Sequence, residues 1–296
     1  MTAIVCEGLA KRYDDIVAVD DVSFTVERGE VFVLLGRNGA GKTTTVEIIE
    51  GLREPDDGTV EVLGRAPAHA DVRAQIGVMP QRGDLYAGIK TEEAVRLFAS
   101  FYDEPDDPER LLALLDLERV RRSTYRRLSG GEKRRLSLAL ALVGRPKIAF
   151  LDEPTAEMDV EGRATTWELV REMRGSGVAV VLTTHELDEV ERLADRVGIL
   201  REGKLVAHGP PSELASDRLP EITVSLASAI DTDTLAFFLG TTIETLHDNT
   251  YRLTGATPDP SLVSRLTTWL AARGVLVRTL RVGGRSLEEV YMELTR

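Results

Sequence analysis

Short, almost unbroken apolar runs punctuate the chain: Val31-Phe32-Val33-Leu34-Leu35, Ile76-Gly77-Val78-Met79, Ile148-Ala149-Phe150-Leu151 and Val178-Ala179-Val180-Val181-Leu182. Runs of that length and type predict parallel strands buried on both faces. Segments 3–9, 17–27 and 58–63 instead alternate, with Val17, Val19, Val22, Phe24 and Val26 on one side of the second, and predict half-buried strands. Lys11-Arg12-Tyr13-Asp14-Asp15 reads as a polar turn between the first two. Helical spacing appears over 43–51, where Val46, Ile48 and Ile49 are available to face a sheet, and over 91–102, through Ala94, Val95, Leu97, Phe98 and Phe101. Further helices are expected over 108–115, from Ser129 through Leu142, and over 160–174, and a final hairpin over 196–200 and 204–208. Residues 82–145 therefore read as a helical insertion in an α/β frame.

After Leu219-Pro220 the pattern restarts. Strand patterns at 222–226, 242–246, 251–254 and 275–282 enclose helical ones at 232–239 and 260–273. That order is β-α-β-β-α-β, the ferredoxin-like arrangement. A last helix, Leu287–Leu294, has apolar residues at Leu287, Val290, Tyr291 and Leu294, a spacing suited to docking. The expected domains are 1–219 and 220–296, the second a small α+β unit that carries no catalytic constellation.

The stretch 36–44, Gly36-Arg37-Asn38-Gly39-Ala40-Gly41-Lys42-Thr43-Thr44, fits the G-x-x-x-x-G-K-[ST] pattern of a phosphate-binding loop. It stands between an apolar strand and a helix, which is the context that motif needs. Glycines at 36, 39 and 41 let successive N–H groups converge on an anion, and the helix N-terminus adds its positive end. Lys42 is then placed to reach the β- and γ-phosphates and Thr43 to offer its hydroxyl to Mg²⁺.

Candidate partners for that loop lie at other strand ends. Asp152 and Glu153 close the apolar run that starts at Ile148. The C-terminal edge of a sheet is where α/β proteins bind ligands. Asp152 suits holding Mg²⁺ through its water shell, and Glu153 suits orienting or deprotonating an attacking water. His185 ends the 178–185 run at the same edge, placed for a γ-phosphate contact. Tyr13 is a candidate platform for a purine ring. Ser129 and Glu132 form a capping box, and Gly130 and Gly131 within its first turn either are tolerated or admit a close approach of backbone or phosphate.

The formal net charge of −12 argues against a nucleic-acid surface, which needs basic residues to neutralise phosphates. The cluster Arg119, Arg121, Arg122, Arg126, Arg127, Lys133, Arg134 and Arg135 accordingly reads as a solvated helical surface. A single cysteine, Cys6, excludes an internal disulfide and fits a reducing cytoplasm. The first residues lack the features of a signal peptide. No apolar run approaches the ~20 residues that cross a bilayer, so work at a membrane is expected to be that of a peripheral subunit.

Taken together, these residues resemble the ATP-binding subunit of ABC transporters over about 3–215: a P-loop NTPase cassette with a helical subdomain. In this likeness 36–44 is the phosphate loop, Gln81 the Q-loop, Leu128-Ser129-Gly130-Gly131-Glu132 the signature, 148–152 the Walker B strand and His185 the switch histidine. The resemblance implies two ATP molecules sandwiched between two cassettes, with Ser129, Gly130 and Gly131 acting on the partner's nucleotide. It also implies that Glu153 is the catalytic base, that Gln81 senses Mg²⁺ and the transport domain, that Tyr13 stacks on adenine, and that Asp159 belongs to the D-loop. That loop departs from the family at Glu157, which puts bulk and charge near the dimer seam. The C-terminal domain is similar to that of ABC-2 type exporter ATPases, including those of drug and antibiotic efflux. The implied partners are an ABC-2 integral membrane permease and a second cassette, a homodimer being expected, at the inner face of the cell membrane. Two other readings stay open: a soluble ABC ATPase acting on ribosomes or DNA, and a hydrolytically weak cassette in a heterodimer.

Overall fold

The computed structural model describes residues 1–81, 83, 85–216, 221–255, 258–283 and 287–295. They divide into two units, one formed by Met1–Pro211 with the last residues from Leu294, the other by Ser212–Glu293. The boundary expected at 219/220 and the first residue of the helical insertion, 82, lie outside the described residues.

The first unit begins with β1 (Thr2–Tyr13), β2 (Ile16–Glu27), β3 (Val31–Gly36), α1 (Lys42–Ile49), β4 (Asp57–Val62), α2 (Ala70–Arg73) and β5 (Ile76–Met79). Helices α3 (Thr91–Ala99), α4 (Pro108–Leu114) and α5 (Gly130–Leu142) follow. Then come β6 (Ile148–Asp152), α6 (Val160–Gly175), β7 (Ala179–Thr184), α7 (Leu187–Leu193), β8 (Arg196–Arg201) and β9 (Lys204–Gly209), after which α8 (Pro211–Ser216) starts at the boundary and belongs, from Ser212, to the second unit.

Two sheets organise the first unit. One is antiparallel, in the order β2-β1-β4. The other runs β5-β6-β7-β3-β8-β9, parallel except for its edge strand β9. Strands β3, β6 and β7 are buried at every residue, as their unbroken apolar runs require. Between the sheets lies one core that takes in Ile4, Leu9, Val22 and Phe24 from the antiparallel side, Phe32, Leu34, Phe150 and Val181 from the parallel side, and Val46, Ile48 and Ile49 of α1. The Phe24 and Phe32 rings stack at 4.7 Å between centroids and so tie one sheet to the other.

Residues 11–13, read as a turn, are the end of β1. Their pairing continues to Tyr13↔Ile16, and the turn is Asp14-Asp15 alone, with Asp14 in the left-handed region. The extension is held from outside the hairpin, because Asp56 accepts from Lys11 Nζ and from the Arg12 N–H, both at 2.7 Å. A polar side chain hides this continuation from any reading based on apolar alternation.

In the second unit β10 (Glu221–Leu226), α9 (Thr232–Leu239), β11 (Thr242–His247), β12 (Thr250–Thr254), α10 (Pro260–Ala272), β13 (Val277–Gly283) and α11 (Leu287–Leu294) follow one another. The sheet is wholly antiparallel, in the order β11-β12-β10-β13. Its inward face, Ile222, Val224, Leu226, Tyr251 and Leu253, packs on Leu235, Leu239, Leu266, Trp269 and Leu270 of α9 and α10. Arg252 is paired with Glu221 and Glu244 on the neighbouring strands.

Candidate active site

Strand order brings the candidate residues together. Neighbouring strands β5, β6, β7 and β3 end at the same sheet edge, and the register sets Met79 beside Leu151, Asp152 beside Thr183 and Thr184 beside Leu35. Gln81, Asp152 and Glu153, His185, and the loop from Gly36 therefore emerge next to one another. A cleft of about 430 Å³ opens there, lined by Tyr13, Ile16, Val17, Ala18, Asn38, Gly39, Gly41, Lys42, Thr43, Thr44, Gln81, Asp152 and Glu153.

The loop depends on glycine at particular places. Gly41 has φ of 102°, and a Cβ there would stand 2.3 Å from the Ala18 carbonyl oxygen. A Cβ on Gly36 would meet the Leu200 carbonyl oxygen at 2.7 Å. Gly41 also occupies the N-cap of α1 and has no side chain to satisfy the first-turn N–H groups, which stay available to an anion. Lys42 is buried, and its Nζ donates to the Gly36 carbonyl at 2.8 Å and to the Arg37 carbonyl at 3.2 Å. Burial lowers its pKa, opposed by the charges of Glu153 and Asp152.

The acidic side is equally specific. Asp152 is 6% exposed and accepts a hydrogen bond from the Thr183 hydroxyl. Burial raises its pKa and the neighbouring Glu153 adds to that, while Thr183, Lys42 and Arg134 act the other way. Glu153 turns sharply out of β6 with φ of 48°. Its N–H donates to the Thr183 carbonyl at 3.0 Å. Its Oε2 accepts from Gln81 Nε2 at 3.2 Å, and its Oε1 lies 3.1 Å from His185 Nδ1. A carboxylate only accepts, so Nδ1 carries the hydrogen of that bond.

Tyr13 stands at the rim, partly exposed, with the Arg53 guanidinium 5.4 Å from its ring centroid. Ser129, Gly130, Gly131 and Asp159 do not line the cleft. Ser129 caps α5 in the expected box: its Oγ accepts from Glu132 N at 3.2 Å, and Glu132 Oε2 accepts from Ser129 N at 2.7 Å. Asp159 caps α6 by accepting from Gly162 N at 2.8 Å. Glu157, at φ of 62°, lays its carboxylate against Gly130, where a Cβ would come within 1.9 Å of Glu157 Oε2. A side chain at 130 would therefore displace the Glu157 carboxylate, the far end of a flexible side chain.

Several site groups escaped the sequence reading. Arg134, assigned there to a solvated surface, turns inward and donates to the carbonyls of Pro80, Gln81, Asp152 and Glu153. Its spacing to the buried Leu138 and Ala141, four and seven positions on, is the signal that places it on the inner face of α5. Glu50, at the end of α1, is buried, and burial, with Asp152 and Glu47 adding to it, pushes its carboxyl up to about 8. Thr183 directly follows an apolar run, and only the three-dimensional pairing with Asp152 reveals a role. Among the described residues no cluster of three or more His, Cys, Asp or Glu side chains is arranged to chelate a metal.

The chain is similar to several known proteins. A family model described as "ABC transporter" matches residues 19–156. A Nod factor export ATP-binding protein I of Ralstonia nicotianae is 39% identical over 72% of this chain and 68% of its own length. A daunorubicin resistance ATP-binding protein of Streptomyces coeruleorubidus is 34% identical over 99% of this chain and 96% of its own. Among solved structures, the dimeric form of a bacterial ABC transporter cassette superposes with a TM-score of 0.64 at 25% identity, over 70% of this chain and 98% of that one.

Proposed function

The chain belongs to the ATP-binding subunits of ABC transporters, ATPases that hydrolyse ATP for transport, and we propose that it drives an ABC-2 type exporter as one of a pair of cassettes. The observation that carries the catalytic part is the Glu153 carboxylate, held by Gln81 and His185 at a cleft walled by the phosphate loop and Asp152.

In this reading the N–H groups of the loop and the first turn of α1 bind the β- and γ-phosphates, and Lys42 exchanges its two carbonyl partners for phosphate oxygens. Tyr13 supports the adenine. The donor set fits Mg²⁺: the Thr43 hydroxyl, the Asp152 carboxylate and the Gln81 side-chain oxygen are hard oxygen ligands. Mg²⁺ ordinarily takes one or two carboxylates plus phosphate oxygens and water rather than a protein cage. Burial of Asp152, which disfavours its charged form, would be offset by a neighbouring dication. When bound, Mg²⁺ neutralises charge on the β- and γ-oxygens. Glu153 orients the attacking water and accepts its proton, and His185 holds the carboxylate from the far side. Catalysis is then mostly positioning and charge stabilisation.

Ser129, Gly130 and Gly131 lie outside this cleft, which supports a role for the signature on a second cassette's nucleotide. Export is favoured by the daunorubicin-resistance relative, whose likeness extends through the second unit. We read that unit as ferredoxin-like, on its β-α-β-β-α-β succession and its antiparallel order β11-β12-β10-β13. No helix among the described residues is long and apolar enough to cross a membrane. The spans are assigned to a separate permease, with this chain at the inner face of the cell membrane.

Affinity capture from detergent-solubilised native membranes, with partners identified by mass spectrometry, tests the reading. A co-purifying protein with about six bilayer-length apolar spans is expected; ribosomal or DNA-repair partners without one would overturn it. One observation favours a second reading, a hydrolytically weak cassette in a heterodimer: the Glu157 carboxylate occupies the space at Gly130. ATP turnover by the purified chain alone decides between the two.

A further inference from the structure

Arg134 is rooted in α5, the helix that opens at the signature, and its side chain ends on two strand ends. Nη1 donates to the carbonyls of Pro80 and Gln81, each at 3.0 Å, and Nη2 donates to those of Asp152 and Glu153. Strands β5 and β6 pair only as far as Met79↔Leu151, so past that point no ladder between them serves these oxygens. A half-buried carbonyl oxygen without a donor is costly, and the guanidinium supplies N–H donors to four of them from one side chain. A planar fork does this where a single ammonium does not.

The acceptors belong to the residues that matter for hydrolysis. Glu153 has φ of 48°, a conformation that L residues keep only where the surroundings hold it. Its N–H is held by Thr183, and its carbonyl accepts from both Arg134 and the Ala156 N–H. The Gln81 backbone is held by the same guanidinium, and the Gln81 amide donates to the Glu153 carboxylate.

We propose that Arg134 is a positioning residue for the hydrolytic water: it fastens the backbones of Gln81 and Glu153 to the signature helix, so that the placement of α5 sets the aim of the Glu153 carboxylate. The proposal rests on the reading of Glu153 as the base. It makes the signature helix act on the hydrolytic site of its own chain as well as on the partner's nucleotide, because any shift of α5 re-aims Glu153 through this fork. Arg134 does not line the cleft.

The test is steady-state ATP turnover and nucleotide affinity for Arg134→Met, Arg134→Lys and Glu153→Gln, and for the double variant Arg134→Met/Glu153→Gln. Arg134→Met is expected to lower kcat by about 10- to 100-fold while KM and the affinity for a fluorescent ATP analogue stay within about two-fold. Arg134→Lys, which keeps the charge and one of the contacts, is expected to recover part of kcat. The double variant is expected to be no slower than Glu153→Gln, since both act on one step. If Arg134→Met is insoluble, Arg134→Lys carries the same comparison. Wild-type kcat in a soluble Arg134 variant, or a rise in KM that matches the fall in kcat, overturns the proposal. Full turnover by Glu153→Gln would instead remove the base assignment, a failure distinguishable from that of Arg134.

Discussion

His185 Nδ1 lies 3.1 Å from Glu153 Oε1, although 32 positions separate the two residues along the chain. The pairing of β6 with β7 brings them together, and Gln81 takes the other carboxylate oxygen from the β5 side. The carboxylate is thus held from both flanks, with its position decided by three separate strand ends.

Glu153→Gln keeps the shape of that site and removes the proton acceptor that the proposed mechanism requires. Turnover is expected to fall by at least about 100-fold, the ordinary scale of a general base. Binding of ATP, read with a fluorescent analogue, is expected to persist. Undiminished hydrolysis would show that the proton leaves by another route.

In the proposed reading Tyr13 contributes binding rather than chemistry. Tyr13→Ala is expected to raise KM for ATP by about 5- to 100-fold, the range set by loss of one base–aromatic stack. With kcat little changed, the effect is that of uniform binding lost from ground and transition states alike. Tyr13→Trp, which restores an aromatic face, is expected to return KM towards the wild-type value. A change in kcat alone would place Tyr13 elsewhere in the cycle.

Gly41→Ala meets a backbone oxygen and a left-handed φ together. It is expected to cost about 1–3 kcal/mol from the conformation alone and to abolish nucleotide binding. Gly175→Ala, at the end of α6 with no atom within 4 Å of the added Cβ, is expected to be neutral or slightly stabilising. Thermal melts of the pair, with and without ATP, make the comparison; equal melting of both variants would contradict it.

Glu50 makes stability depend on pH. Its carboxyl titrates near 4.5 in an ordinary setting and at about 8 in the folded chain, chiefly because it is buried. Between those values the native state binds the extra proton. The contribution is complete below the lower value and is lost as pH rises through the upper one. Glu50→Gln, neutral at every pH, is expected to melt several degrees above wild type at pH 9 and close to it at pH 5. Parallel Tm–pH curves for the two proteins would remove Glu50 from the account.

Arg134 shows where reading the chain alone falls short. Seven other basic residues lie nearby between 119 and 135, and composition treats them as one solvated surface. Arg121 does sit in a surface network with Glu92 and Glu109, whereas Arg134 is turned onto four carbonyls. Helical spacing to Leu138 and Ala141 marks Arg134 as inward-facing, but only the packing of α5 over β5 and β6 supplies the carbonyls it meets. Glu157 is similar: its charge was legible, but not that it would lie on Gly130.

By itself the sequence determined what depends on neighbours a few residues away. The burial of β3, β6 and β7 follows from unbroken apolar runs, the phosphate loop from three glycines before Lys42, and the cap of α5 from Ser129 and Glu132. The succession of strands and helices in the second unit is of the same kind. Tertiary structure alone decided which strand ends stand side by side, how far β1 extends past its apolar positions, and where Arg134 and Glu157 point. The physical reason is that periodicity and capping are short-range, written in local backbone preferences and burial. Strand order and side-chain partnership arise only when crossovers bring distant segments to one edge. The order β5-β6-β7-β3 is what turns a glutamine, two carboxylates, a histidine and a phosphate loop into one site.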